Sequence, residues 1–336
     1  MHMADALLSP AVGGAMWLAS GAALALSARR VREQRDDRLV PLMGVLGAFV
    51  FAAQMINFAI PATGSSGHLG GGLLLAILLG AHAALIVIAS VLAVQALFFA
   101  DGGLLALGAN IFNLGVLPCY VAYPLLYRPI AGGGGSPRRV AVAAVVAAVV
   151  GLQLGALGVV LQTVGSGITS LPFAAFAALM LPIHLAIGIV EGLATAAVAL
   201  FVRRARPDLL AGAAGGASTG SLKPLLAAFG VAALVVGGAL AWFASTQPDG
   251  LEWSIEKTAG TAELKAPAGG IHATLARLQE RLAVLPDYAL PSAAANEEED
   301  SAWPDVNPGT SLAGVVGGVA TLVLVAAVGL LLRRRR

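Results

Sequence analysis

The chemistry open to this sequence is concentrated in two histidines and the main chain beside them. The chain begins Met1-His2, and a polar loop later reads Thr63-Gly64-Ser65-Ser66-Gly67-His68-Leu69-Gly70. A free N-terminal amine, the backbone amide of residue 2 and the imidazole of His2 can close two fused chelate rings on one cation. His68 can supply a fourth nitrogen. Four nitrogens in a plane suit Ni(II) or Cu(II) better than Zn(II), which prefers a tetrahedron. Many chains carry a histidine at position 2 by chance, so the reading depends on whether His2 and His68 meet on one side of a membrane.

Composition shows that a membrane is involved. The chain is 58% hydrophobic and 11% charged, with a mean hydropathy of +0.86. Too few polar residues remain to cover a soluble domain of 336 residues, and long apolar stretches recur throughout, as in a polytopic membrane protein. The 42 glycines fit closely packed transmembrane helices. Cys119 is the lone cysteine, which excludes an internal disulfide or thiolate cluster.

Arginines orient the helices. A secretory signal peptide is the rival reading of residues 1–27, but no basic stretch precedes the apolar run, and Arg29, Arg30 and Arg32 follow it. That pattern predicts an uncleaved first helix with its N-terminus outside. Sixteen of the 20 lysines and arginines cluster near residues 29–38, 128–139, 203–206, at Lys223 and at 333–336, and these should be cytoplasmic. Residues 9–28 then run inward and 41–60 outward, which places Met1 and His68 on the same outer side. The run 71–100 must start and end outside, so it needs two crossings with a turn near Gly80-Ala81-His82. Thirty residues rise only about 45 Å against a hydrocarbon core of ~30 Å, so one of the pair is short and packed in protein. Segments 103–127, 140–164 and 172–202 complete seven crossings.

A Gly/Ala/Ser-rich stretch at 207–221 reads as a flexible cytoplasmic linker. Beyond it, helices at 224–243 and 311–332 flank a polar outer segment, 244–310, with 11 acids and four bases. Its run Glu297-Glu298-Glu299-Asp300 can attract cations or simply be a solvated stretch. The expected fold is therefore an all-α polytopic bundle of seven crossings plus a two-helix transmembrane module with an extracytoplasmic loop. No internal repeat stands out.

Several ordered blocks resemble the substrate-binding membrane subunits of nickel/cobalt energy-coupling-factor transporters, the CbiM/NikM family. They are Met1-His2-Met3-Ala4-Asp5, Thr63 to His68, Val94-Gln95-Ala96-Leu97 through Asp101-Gly102-Gly103 to Leu107-Gly108-Ala109-Asn110, and Pro182-Ile183-His184 to Glu191-Gly192. The stretch Pro248-Asp249-Gly250-Leu251-Glu252 resembles the small two-helix companion of the same systems, the PDGLE type. The domains implied are 1–205 for the metal-binding part, 206–222 for the linker and 223–336 for the companion.

The resemblance implies that Met1, through its amine, His2, through its amide and ring, and His68 hold the metal. It also implies a transported Ni(II) or Co(II) and no organic cofactor. Leu69-Gly70-Gly71 follows the loop histidine where cobalt-type relatives tend to have Pro-Thr-Gly, which leans towards nickel. Ala6 stands where many relatives have Gly, a departure that bears on how the N-terminal segment bends inward.

Gln95 and Asn110 are amides in apolar segments. They either orient the ligands from behind or bond between helices for packing alone. Ser65 and Ser66 either bond His68 or shape its loop. His184 and Glu191, two turns apart on one helix face, suit a relay, a partner contact or a structural pair. His82 reads as an interface histidine and His272 as incidental. Ala11, Ala15, Ala19 and Ala23 form a small-residue stripe, either for docking the coupling transmembrane subunit or for packing within the bundle.

No Gly-x4-Gly-Lys-Ser/Thr phosphate loop occurs. The expected role is metal capture from outside, in the cytoplasmic membrane of a bacterium or archaeon with the C-terminus inside. Separate ATP-binding cassette ATPases and the coupling subunit would drive uptake, with no nucleic acid involved. The alternative is a self-sufficient secondary transporter using Asp101, Glu191 and His184. A metalloenzyme is disfavoured, because a four-nitrogen plane leaves little room to activate water.

Overall fold

The computed structural model of the protein describes residues 1–34, 36, 38–132, 136–206, 209, 221–262, 264–290 and 303–334. The Gly/Ala/Ser-rich linker, apart from residues 209 and 221, and the run Glu297 to Asp300 lie outside the described residues.

Helix α1 spans Pro10–Glu33, with Ser9 capping its first turn through the amide of Val12. Helix α2, Leu39–Gln54, follows. The sequence pointed to a crossing over 41–60. Instead the helix stops at Gln54, and Phe58–Ile60 (β1) pairs antiparallel with Ser65–Gly67 (β2) in a small hairpin. Helices α3 (Gly72–Leu79) and α4 (Ala81–Phe98) are separated by Gly80, whose φ of 79° and ψ of 159° suit only glycine. Helix α5, Leu107–Ala131, is wound widely over Phe112–Val116 and Pro118–Tyr127. Pro118 and Pro124 fall in that stretch, and each removes one amide donor from the helical ladder. Helices α6 (Pro137–Ser166) and α7 (Phe173–Ala205) pack along each other as a long pair.

In the second module, α8 (Lys223–Gly238) and α11 (Pro308–Arg334) both pack on α2, where Gly47 and Gly317 let α11 approach closely. Between them, α9 (Gly250–Ala259) lies on α7 and the hairpin, and α10 (Gly270–Leu282) lies on α4. The described residues of this polar segment thus form a folded cap over the first module.

Among the described residues, α1, α4, α5, α6, α7 and α11 are long and apolar enough to cross a membrane, while α2 and α8 are shorter apolar helices. All eight residues of α3 are buried, which is the short, protein-packed member expected of the 71–100 pair. At about 12 Å of rise α3 does not span a ~30 Å core alone. A count of seven crossings therefore rests on including it.

Stability at the N-terminus comes from burial. Met3 and Leu8 are fully buried and Leu7 nearly so, and this apolar run draws the first residues into the bundle ahead of α1. The amide of Met3 donates to Oδ1 of Asn110 (2.8 Å), while its carbonyl accepts from Nδ2 of Asn110 (3.2 Å) and from the amide of Gly103 (2.9 Å). Asp5 accepts from the amide of Ala106 at 2.9 Å. A Cβ at Gly103 would collide with the Asp5 side chain, so this close approach requires glycine.

Candidate metal site

The segment so held delivers Met1 and His2 to the loop that carries His68. The amine of Met1 lies 3.0 Å from Nε2 of His68, and the rings of His2 and His68 are 4.9 Å apart between centroids. Adjacent nitrogens around a square-planar metal with bonds of about 2.0 Å sit roughly 2.8 Å apart. In a chelate where residue 2 supplies the amide and ring, the fourth ligand falls next to the amine. The spacing of Met1 and His68 fits that corner. Among the described residues no group of three or more His, Cys, Asp or Glu side chains is arranged to hold a metal ion. A metal here would depend on main-chain nitrogens.

Both nitrogen donors of the N-terminal pair already have acidic partners. The amine donates to Oδ2 of Asp249 in a short ion pair, and Oδ2 of Asp249 is 4.0 Å from Nε2 of His68. Nδ1 of His2 is 2.7 Å from Oδ1 of Asp101, whose other oxygen accepts from the Tyr288 hydroxyl at 2.6 Å. Nε2 of His2 is buried without a hydrogen-bond partner. The fused-ring chelate uses Nδ1, the ring nitrogen nearer the backbone, so metal capture by this set must exchange two carboxylate contacts for metal bonds.

Asp249 reaches the amine because it caps α9. Its Oδ1 accepts from the amides of Leu251 and Glu252, and Glu252 returns a bond to the Asp249 amide. The turn before it is fastened to the hairpin by Ser66, whose amide and hydroxyl donate to the carbonyls of Pro248 (2.8 Å) and Gln247 (2.7 Å). Ser65 bonds Thr63 at 2.9 Å, and neither serine bonds His68, so both shape the loop.

Nδ1 of His68 is 3.1 Å from the carbonyl of Leu69. Behind that, Glu191 accepts from the amides of Gly70 (3.1 Å) and Gly71 (3.0 Å). Gln54 donates to the Gly70 carbonyl at 2.8 Å, and Gln95 donates to Gln54 at 2.9 Å. Gln95 therefore supports the His68 loop through Gln54, and Asn110 supports the Met1-His2 strand through Met3.

His184 and Glu191 have separate partners. His184 bonds the Met180 carbonyl at 2.8 Å and lines the small cleft beside Met1, His68 and Asp249. His82 bonds Tyr120 at 2.6 Å. His272, expected to be incidental, is buried and 2.9 Å from the Leu8 carbonyl, so the second module also pins the N-terminal segment. Ala11, Ala15 and Ala19 are exposed and Ala23 is half-buried, while α1 buries Gly13, Ser20, Ser27 and Val31. Packing within the bundle accounts for Ala23, which lies against the core, but not for Ala11, Ala15 and Ala19. The roles of Asp101, Asp249 and Tyr288 had no local signal, since each partner is distant in sequence.

Burial, and then the charge of the nearby amine, lower the His68 pKa to about 3, so the ring stays a neutral donor at ordinary pH. Burial raises the Asp249 and Asp101 carboxyls, but the amine, His68 and hydrogen bonds together outweigh it at Asp249, and His2, the Tyr288 hydroxyl and His68 together do so at Asp101, leaving both below the usual range. Between about pH 6.5 and 3 the unfolded chain takes up a proton at His68 that the folded chain does not, so stability falls with pH there. The two depressed carboxyls contribute stability above their unfolded value near 3.8, which is lost as pH falls further. Lowering pH from 7 to 5 in chelator is expected to cost on the order of 1–2 kcal/mol through His68. Thermal unfolding in detergent tests this: the parent melting temperature should fall over that range and that of His68→Gln should fall less. Equal slopes would remove His68 as the cause.

Comparison with known proteins gives a consistent picture. Residues 2–209 match the family described as the cobalt uptake substrate-specific transmembrane region (CbiM), and residues 223–334 match the PDGLE domain. A chain of Archaeoglobus fulgidus named for a fused nickel transport protein, NikMN, is 34% identical over 328 residues, 96% of each chain. The fused nickel transport protein NikMN of Rhodobacter capsulatus is 33% identical over 86% of this chain and 88% of its own. The crystal structure of a truncated transition metal transporter superposes with a TM-score of 0.54 at 30% identity, covering 61% of this chain and 99% of the other.

Proposed function

This chain belongs to the CbiM family of substrate-specific transmembrane regions, joined to a PDGLE domain, and from that premise we propose that it captures a divalent transition metal for uptake. It is a nickel/cobalt transport component by its relatives, which are named as transport proteins. The finer reading is a substrate-specificity subunit of an ATP-driven energy-coupling-factor importer, with nickel favoured over cobalt. Met1, His2 and His68 hold the metal outside the cytoplasmic membrane. A coupling transmembrane subunit, docked on the Ala11, Ala15 and Ala19 face, and ATP-binding cassette ATPases drive its release inward.

The observation that carries this reading is the 3.0 Å approach of the Met1 amine to Nε2 of His68, in a cleft bounded by residues of both modules. The self-sufficient transporter gains little support, because Glu191, Asp101 and His184 are each engaged by a separate hydrogen-bond partner within this chain. Titrating the purified chain with Ni(II) and Co(II), with visible spectra, is expected to give one Ni(II) per chain, a square-planar band and weaker Co(II) binding. Proteoliposomes should take up nickel only with the coupling subunit and ATPases present. Uptake by the chain alone would overturn the importer assignment while leaving the metal site intact.

A further inference from the structure

Helix α10, Gly270–Leu282, leaves an apolar stripe uncovered. Ile271, Leu278 and Leu282 are 46, 46 and 43% exposed, and Leu275 on the same line is half-buried. Residues spaced four, three and four apart stack along one face of a helix, so these side chains form a single stripe. Toward the protein, Nε2 of His272 lies 2.9 Å from the Leu8 carbonyl, and Nε2 of Gln279 donates to the carbonyls of Ala96 (2.9 Å) and Gly102 (2.7 Å). At about 100° of turn per residue, the stripe is centred roughly 80° to one side of this anchored face. Arg277, Glu280 and Arg281, all exposed, lie round the other side. A helix standing in water on the crown of a bundle has no cause to separate its free flanks in this way.

We propose that α10 is an interfacial helix, lying in the plane of the bilayer surface at the Met1 end of the bundle, with its stripe among the acyl chains and Arg277 and Arg281 at the lipid phosphates. Its two ties set both tilt and level. Leu8 lies just ahead of α1, and Ala96 is in the last turn of α4. Both helices are long and apolar enough to cross a membrane, and they pack on each other. A helix fastened near one end to the start of α1 and near the other to the end of α4 runs across two spans, and so roughly parallel to the membrane. The 18 residues of α4 rise about 27 Å against a hydrocarbon core of ~30 Å, which puts its last turn at the boundary with the headgroups. The stripe also continues the apolar surface of the spans, on which Trp17 and Leu18 of α1 are exposed. At the same end of the second module, exposed Trp303 packs edge-on against Phe243, and tryptophan collects at membrane interfaces. Lipid suits the opposed flanks of α10, because acyl chains match the stripe while phosphates and water match the arginines. This contact holds whatever metal the chain carries.

Cys119 is buried, so single cysteines introduced on α10 can be spin-labelled in the full chain, with the parent as the unlabelled control. Variants Leu278→Cys, Leu282→Cys, Arg277→Cys and Arg281→Cys are placed in nanodiscs of phosphatidylcholine and phosphatidylglycerol. Power-saturation electron paramagnetic resonance then reads access to oxygen, which concentrates among acyl chains, and to chromium oxalate, which stays in water. Labels at 278 and 282 should meet oxygen preferentially and those at 277 and 281 chromium oxalate. The two ratios should differ at least about fivefold for a stripe seated about 5–10 Å into the boundary of headgroups and acyl chains. Chromium oxalate reaching 278 and 282 as readily as 277 and 281 would put the stripe in water and overturn the proposal. Low access of both reagents at 278 and 282 would mean that protein covers the stripe, whether a second copy or another part of this chain, and overturns it as well.

Discussion

N-formylation of Met1 should abolish nickel binding, weakening it by more than about a thousandfold, or ~4 kcal/mol. The formyl group converts the amine into an amide nitrogen of far lower basicity and breaks the chelate in which amine, amide and ring share one metal, whereas a residue added ahead of Met1 would make Xaa-Met-His, which offers four nitrogens of its own. The amine also has little room around it: Met1 is 6% exposed, and its Cε would sit 3.1 Å from a Cβ placed on Gly155. His68→Ala removes one of four nitrogens but leaves the three-nitrogen chelate, so its loss should be smaller, roughly a hundredfold. Isothermal titration with Ni(II), beside visible spectra, gives the comparison. N-acetylated protein serves as a second control, since it too blocks the amine while adding only a few atoms. Should the formylated and acetylated chains bind nickel as the parent does, the amine is not a ligand. The 3.0 Å approach of Met1 to His68 would then be only part of the ion pair with Asp249.

The apolar run lengths made the long helices legible, because 18 or more apolar residues have few alternatives to a membrane helix. Gly80 was legible for a related reason: helices on both sides of a tight reversal need a residue free of Cβ constraints. The early end of α2 was not, because Ile56 and Phe58–Ile60 continue its hydropathy, while Phe58, Ala59 and Ile60 pair as strand. Contacts of this segment with Ser245, the Pro248-Asp249 turn and Trp253, about 180 residues on, distinguish the two. Similarly, His2 and His68 stood out because an N-terminal histidine and a glycine-rich loop have recognisable chemistry. Asp249 could be read as a turn and cap residue, yet its ion pair with Met1 spans 248 positions and leaves no periodic trace. His272 misled for the same reason, since nothing near it in sequence announces its bond to Leu8.

Glu191 carries the second large expected effect, although it is no ligand. Its two oxygens accept from the amides of Gly70 and Gly71, immediately after His68, at a turn where Gly71 has a φ of 77° and begins the wholly buried α3. Neither amide has water as a substitute, since Glu191 is 3% exposed and Gly70 and Gly71 are buried. Glu191→Ala leaves two buried N–H groups unpaired at about 1–3 kcal/mol each, so a loss of roughly 2–6 kcal/mol is expected. Glu191→Gln keeps one acceptor oxygen and should fall between the two. Because the turn aims His68, nickel affinity should also drop about 10–100-fold in the alanine variant, the range seen when groups supporting a metal ligand are removed. Thermal unfolding in detergent and nickel titration on the same samples separate the two effects. A variant that unfolds earlier yet binds nickel like the parent would make Glu191 a structural anchor for α3 alone. The aim of the His68 loop would then rest on Gln54, which holds the Gly70 carbonyl from the opposite side of the peptide unit.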